Sequence, residues 1–112
     1  MEIQEEPTDK FLKINLSGRM DIDGVGNISD KFADLVKNGA LSIIIDMSKV
    51  PYICSFGIRS LLINAKTVNN RGGKYVLLSP QPDVKNVLQV SGIDQIIAVC
   101  DSMDDALKKV SI

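Results

Sequence analysis

Residues 41 to 45, Leu-Ser-Ile-Ile-Ile, form a largely apolar run only five residues long and rich in β-branched side chains. So short a run, set between Asn38-Gly39 and Asp46, suits a strand covered on both faces. It is expected in the middle of a sheet. On either side of it the apolar residues recur at helical spacing. Val25, Ile28, Phe32, Leu35 and Val36 form one stripe, closed by Asn38-Gly39. Ile58, Leu61, Leu62, Ala65 and Val68 form another, closed by Asn69-Asn70-Arg71-Gly72-Gly73.

The remaining elements follow from the same periods. Ile3 begins an extended piece, Pro7-Thr8-Asp9-Lys10 reads as a turn, and Leu12, Ile14 and Leu16 alternate with polar residues, so the chain opens on a hairpin. Tyr75 to Leu78 is a strand, Val84, Val87 and Leu88 are a third helical stripe after Pro80 and Pro82, and Ile96 to Val99 is a last strand. Ser102 with Asp105 resembles a capping box, and it opens a closing helix with Ala106, Leu107 and Val110 inward. The order ββαβαβαβα implies an α/β fold. Its sheet is mixed and mostly parallel, with helices packed on it and an antiparallel strand from the hairpin. Partners of such sheets meet the loops beyond the carboxyl ends of the parallel strands, here including Met47 to Ser55.

A length of 112 residues with 45% hydrophobic content supports one domain, residues 1–112. Thirteen basic and fourteen acidic residues are scattered to a net charge of -1, which leaves no footprint for nucleic acid or an anionic membrane. The acidic amino terminus and the lack of a membrane-length apolar run point to the cytoplasm. There free thiols are expected at Cys54 and Cys100. The chain has no histidine, which excludes Ser-His-Asp and Cys-His catalysis and histidine-ligated metal. No cofactor is expected, and the glycines around Val25 and at Gly72-Gly73 form no phosphate-cradling fingerprint.

Ser55 falls between strand and helix, with Gly57 in the helix's first turn. It is read as the N-cap, a position where replacing serine by alanine costs about 1 kcal/mol. A phosphate there would add about -1.5 to -2 charges at a helix end that tolerates an anion, so it would alter docking rather than folding. Asp21 and Asp23 are read from their own residues as a solvated turn in which Asp23 caps the first helix. Arg59 and Ser60, on the exposed side of the second helix, are read as interface or as solvated face.

Several pieces together resemble the STAS domain of the bacterial anti-sigma factor antagonists. They are Leu16-Ser17-Gly18-Arg19-Met20-Asp21, Ile44-Ile45-Asp46-Met47-Ser48, Tyr52-Ile53-Cys54-Ser55-Phe56-Gly57-Ile58, Asn70-Arg71-Gly72-Gly73 and Val90-Ser91-Gly92-Ile93. The resemblance implies a partner switch and no catalysis by this chain. The unphosphorylated antagonist binds an anti-sigma factor that is also an ATP-dependent serine kinase, phosphorylation releases it, and a serine phosphatase resets it. The family's Asp-Ser-Ser/Thr-Gly motif puts the phosphoacceptor on Ser55 and its glycine on Gly57.

Two residues depart from that motif. Cys54 replaces the aspartate and Phe56 the second serine or threonine, which points to a divergent partner. Phe56 either joins the docking surface or tucks into the core. The expected docking face comprises residues 21 to 24, 53 to 60 and 81 to 83, with Asp21, Asp23, Cys54, Phe56, Gly57, Arg59 and Ser60 as contacts, on a monomer or weak dimer. The rival from the same fold is an adaptor or sensory module that holds its partner without phosphorylation. An enzyme using Cys54 ranks below both. The Cys54 to Arg59 separation is one residue too short for the cysteine phosphatase loop, although a cysteine at a helix amino terminus can be redox-sensitive.

Overall fold

Thr8 sets the first turn: its hydroxyl accepts from Phe11 N at 3.1 Å while Thr8 N donates to Phe11 O at 3.0 Å. In the computed structural model, which describes residues 1–111, this turn joins β1 (Glu2–Pro7) to β2 (Phe11–Ser17). The chain continues through α1 (Ile22–Asn38), β3 (Ser42–Lys49), α2 (Ser55–Asn70), β4 (Tyr75–Leu78), α3 (Pro82–Val90), a short 3₁₀ turn at Ile93–Gln95, β5 (Ala98–Cys100) and α4 (Met103–Val110). The five strands lie in sequence order, β1 antiparallel to β2 and the rest parallel. The expected mixed sheet with β3 at its centre is what forms.

Strand alternation divides the core between the two faces. Leu12, Ile14, Leu16, Ile43, Ile45, Tyr75 and Leu77 point to the face covered by α1, α2 and α3, where Phe32, Leu61, Val68 and Leu88 meet them. Phe11, Ile44, Val76 and Leu78 point the other way, against Ala106 and Val110 of α4. On that second face, Lys13, Asn15 and Asp46 remain polar and line an open basin of about 280 Å³. Lys13 Nζ lies 3.3 Å from Asp46 Oδ2 and 3.7 Å from Glu6 Oε2.

Four boundary expectations change. Leu41 is exposed, and β3 starts at Ser42, whose buried hydroxyl accepts from Lys74 N at 2.9 Å. β3 also runs on to Lys49, so the loop after it is shorter than expected. The last strand is Ala98–Cys100, because Ile96 and Ile97 still bond back to Ile93 O in the 3₁₀ turn. Leu107 is 38% exposed, leaving Ala106 and Val110 as the buried residues of α4. Its N-cap is as expected: Ser102 Oγ accepts from Asp105 N at 3.2 Å.

Candidate functional site

Past β3 the chain turns through Val50, whose N–H donates to Met47 O at 3.1 Å and whose side chain is buried. It then runs extended through Tyr52, Ile53 and Cys54. This segment lies parallel to the β2–α1 loop, with Met20 bridged to Ile53. Met20 N donates to Tyr52 O at 2.8 Å and Cys54 N to Met20 O at 3.0 Å. The Asp21 and Ser55 segments, far apart in the chain, are thereby fixed side by side. Arg19 reinforces the pairing, its guanidinium 4.2 Å above the Tyr52 ring and its Nε 3.6 Å from Asp21 Oδ2.

The same bonds decide where α2 begins. Cys54 is held extended by its bond to Met20 O, and its own carbonyl accepts the first helical hydrogen bond, from Ile58 N at 3.1 Å. The N-cap is therefore Cys54, and Ser55 is the first helical residue, which corrects the reading of Ser55 as the cap. Among the described residues no side chain caps this helix start. The first-turn N–H groups that a cap would serve stay available, and the Ser55 side chain is exposed.

α1 presents the contrast. Its cap is Asp21 rather than Asp23: Asp21 Oδ1 accepts from Gly24 N at 2.8 Å, and Val25 N donates to Asp21 O at 2.9 Å. Asp23 is free of the cap and exposed in the first turn. Gly57 is buried beneath the surface, where a Cβ would stand 2.7 Å from Ile53 Cγ1 and 3.0 Å from Met20 Cβ. Its lack of a side chain lets the first turn of α2 press against the two paired loops.

Phe56 stays out of the core, 50% exposed, and so joins the surface. Arg59 is exposed and Ser60 half-buried; with Phe56 they line a groove between α2 and α1. Gln81 Nε2 donates to Ser48 O at 2.9 Å, which sets residues 81 to 83 beside the end of β3. Cys54 is half-buried, Cys100 is buried, and both are free thiols. Burial pushes the Cys100 thiol up, reinforced by Asp105 and Asp101 and opposed by Lys109.

Among the described residues no cluster of His, Cys, Asp or Glu could hold a metal ion, and no helix is long and apolar enough to cross a membrane. The sequence reading did not single out Arg19, Tyr52, Ser29, Ala33 or Ile63. The Arg19–Tyr52 stack had no spacing signal, because it is created by the bridge between two loops.

The family model described as the STAS domain matches residues 2–106. The chain is 30% identical over 79 residues to the TM1081 homolog of Thermotoga neapolitana, covering 70% of each protein. It is 27% identical over 106 residues to BtrV of Bordetella bronchiseptica, covering 95% of this chain and 91% of that one. Both relatives are provisionally named anti-sigma factor antagonists. Among solved structures, the anti-sigma factor antagonist SpoIIAA in its unphosphorylated form is similar with a TM-score of 0.77 at 25% identity, covering 95% of this chain and 93% of that one. Bacillus SpoIIAA in its phosphorylated form is similar with a TM-score of 0.70 at 23% identity, covering 96% and 97%.

Proposed function

The chain belongs to the STAS domain family, and from that membership we propose that it is an anti-sigma factor antagonist that docks on a serine-kinase anti-sigma factor and is released when Ser55 is phosphorylated. Its work is regulated binding and not catalysis. The observation that carries this reading is the pair of backbone bonds between Met20 and residues 52 to 54, which sets Asp21 beside an exposed serine at an uncapped helix start. A phosphate on Ser55 would face the free first-turn N–H groups and the positive end of the α2 dipole, so the domain tolerates it. A partner pressed on the same spot would have to bury a dianion, and each ~1.4 kcal/mol so lost weakens docking tenfold.

In this reading Asp21, Asp23, Cys54, Phe56, Arg59 and Ser60 form the contact surface, with residues 81 to 83 at its border. Gly57 supports it from below. Residues 1–112 act as one cytoplasmic domain, reset by a serine phosphatase and without nucleic-acid or membrane partners. Incubation with the cognate kinase and ATP adds one phosphate by intact mass, and Ser55→Ala removes it without unfolding the protein. A full phosphate shift on Ser55→Ala overturns the assignment.

Phe56 favours a second reading. A half-exposed aromatic ring, and a cysteine where the family motif has an aspartate, suit an adaptor that holds its partner permanently. Native pull-down followed by intact mass separates the two readings, because the adaptor retains its partner with no covalent change.

A further inference from the structure

Helix α2 has only two charged residues, Arg59 and Lys66, and both are basic. Neither forms an ion pair among the described residues. Phe56, Arg59, Ile63 and Lys66 follow one another at steps of three or four residues, so they share one helical face, alternately apolar and basic. All four are exposed, and Ile63 is 57% accessible. The first three line the groove of about 350 Å³ between α2 and α1.

The opposite wall is Val25, Ser29 and Ala33, one residue per turn of α1, small and uncharged. Asn64, on the α2 side, donates to Ser60 O at 2.9 Å, so that amide is already engaged within the helix. Among the described residues Arg59 is the only charged side chain in the lining.

We propose that this groove receives an amphipathic helix of a protein partner, with its apolar residues seated between Phe56 and Ile63 and its acidic residues paired with Arg59 and Lys66. Two exposed apolar side chains seven positions apart on α2 span about 10 Å, two helical turns, which matches the i and i+7 anchors of a helix laid in a groove. Ser29 and Ala33 leave room for the incoming backbone. The basic residues select an acidic helix over a basic one and steer its approach. Ser55 lies four residues before Arg59, so a phosphate there would draw on the same cation and repel the same acidic helix. The proposal names the partner element for the docking reading above and rests on that reading for the link to Ser55.

The test titrates the isotope-labelled full chain with three designed helical peptides that share one leucine pattern and carry Glu, Gln or Lys on the flanks. The Glu peptide is expected to bind about tenfold or more tighter than the Lys peptide, with amide shifts centred on Ser29, Ala33, Phe56 and Ile63. Ile63→Ser and Arg59→Glu, both at exposed positions, each weaken it about tenfold. Equal affinity for the Glu and Lys peptides, or shifts on another face, overturns the proposal. So does self-association of the chain that Ile63→Ser abolishes, since a second copy would then fill the groove. Kinase labelling of Ser55 is read separately: its failure with the peptide preference intact removes the phosphate switch and leaves the groove standing.

Discussion

The two ends of α2 are built on opposite plans. At its carboxyl end the Arg71 guanidinium donates to Val36 O at 2.7 Å, Ala40 O at 2.6 Å and Leu41 O at 3.2 Å, closing the end of α1 and the approach to β3 with one side chain. Gly72, at a φ of 80°, lets the chain reverse, and Gly73 N donates to Val68 O at 3.0 Å. Gly73 also passes so close to Leu41 O that a Cβ would stand 1.8 Å from it. At its amino end α2 has no side-chain cap, an exposed serine and an exposed phenylalanine. Backbone groups are satisfied at the end that ties α2 to α1 and β3, and left available at the end where docking and phosphorylation are proposed.

Removing the tie should therefore cost far more than altering the open end. Arg71→Ala leaves several carbonyls without their charged donor and is expected to lose about 2–4 kcal/mol in urea denaturation. A loss below about 0.5 kcal/mol would erase the contrast. Gly57→Ala forces a methyl group against Ile53 and Met20, with an expected cost of about 1–3 kcal/mol. Its diagnostic is loss of the Cys54 amide's exchange protection, because the bond to Met20 O must stretch. Asp21→Ala removes a working cap and should cost about 1 kcal/mol, whereas Ser55→Ala, at the first helical position, should stay within about 0.5 kcal/mol. Equal costs for these two would return Ser55 to the role of a structural cap.

A further expected effect lies off α2, at Asp46. Burial raises its carboxyl, but the Ser48 backbone N–H at 2.9 Å, the Ser48 side chain and Lys13 outweigh burial and hold it below the usual carboxylate value. A lowered folded-state value means stabilisation that is complete above the unfolded carboxylate range and lost as the pH falls through the folded value. Asp46→Asn should thus be the less stable protein at neutral pH, and the two should converge below about pH 4. Parallel curves down to strong acid would show that Asp46 contributes nothing by ionisation.

The element order, the opening hairpin and the central strand were legible because each rests on a local period. Alternation along Leu12 to Leu16 and helical stripes at Ile28, Phe32 and Val36 leave little freedom in which face is buried. The loop between β3 and α2 was legible too, since it follows a parallel strand. The details of capping were not. Asp21, Asp23 and Ser55 are all competent cap residues, and which of them serves depends on where the first helical hydrogen bond falls.

That choice is made across the chain. Met20 and Cys54 bond to each other's segments, and the bond holds Cys54 extended and passes the helix start to Ser55. The exposure of Phe56 has the same origin: Gly57, pressed onto Met20 and Ile53, takes the inward position and turns the preceding ring outward. The chain's own patterning settled which residues form strands and helices, because burial of an apolar face is a periodic, local demand. Only the packed structure settled which side chain caps, which stays exposed and which groove stays open, because those depend on contacts between segments that spacing along the chain does not encode.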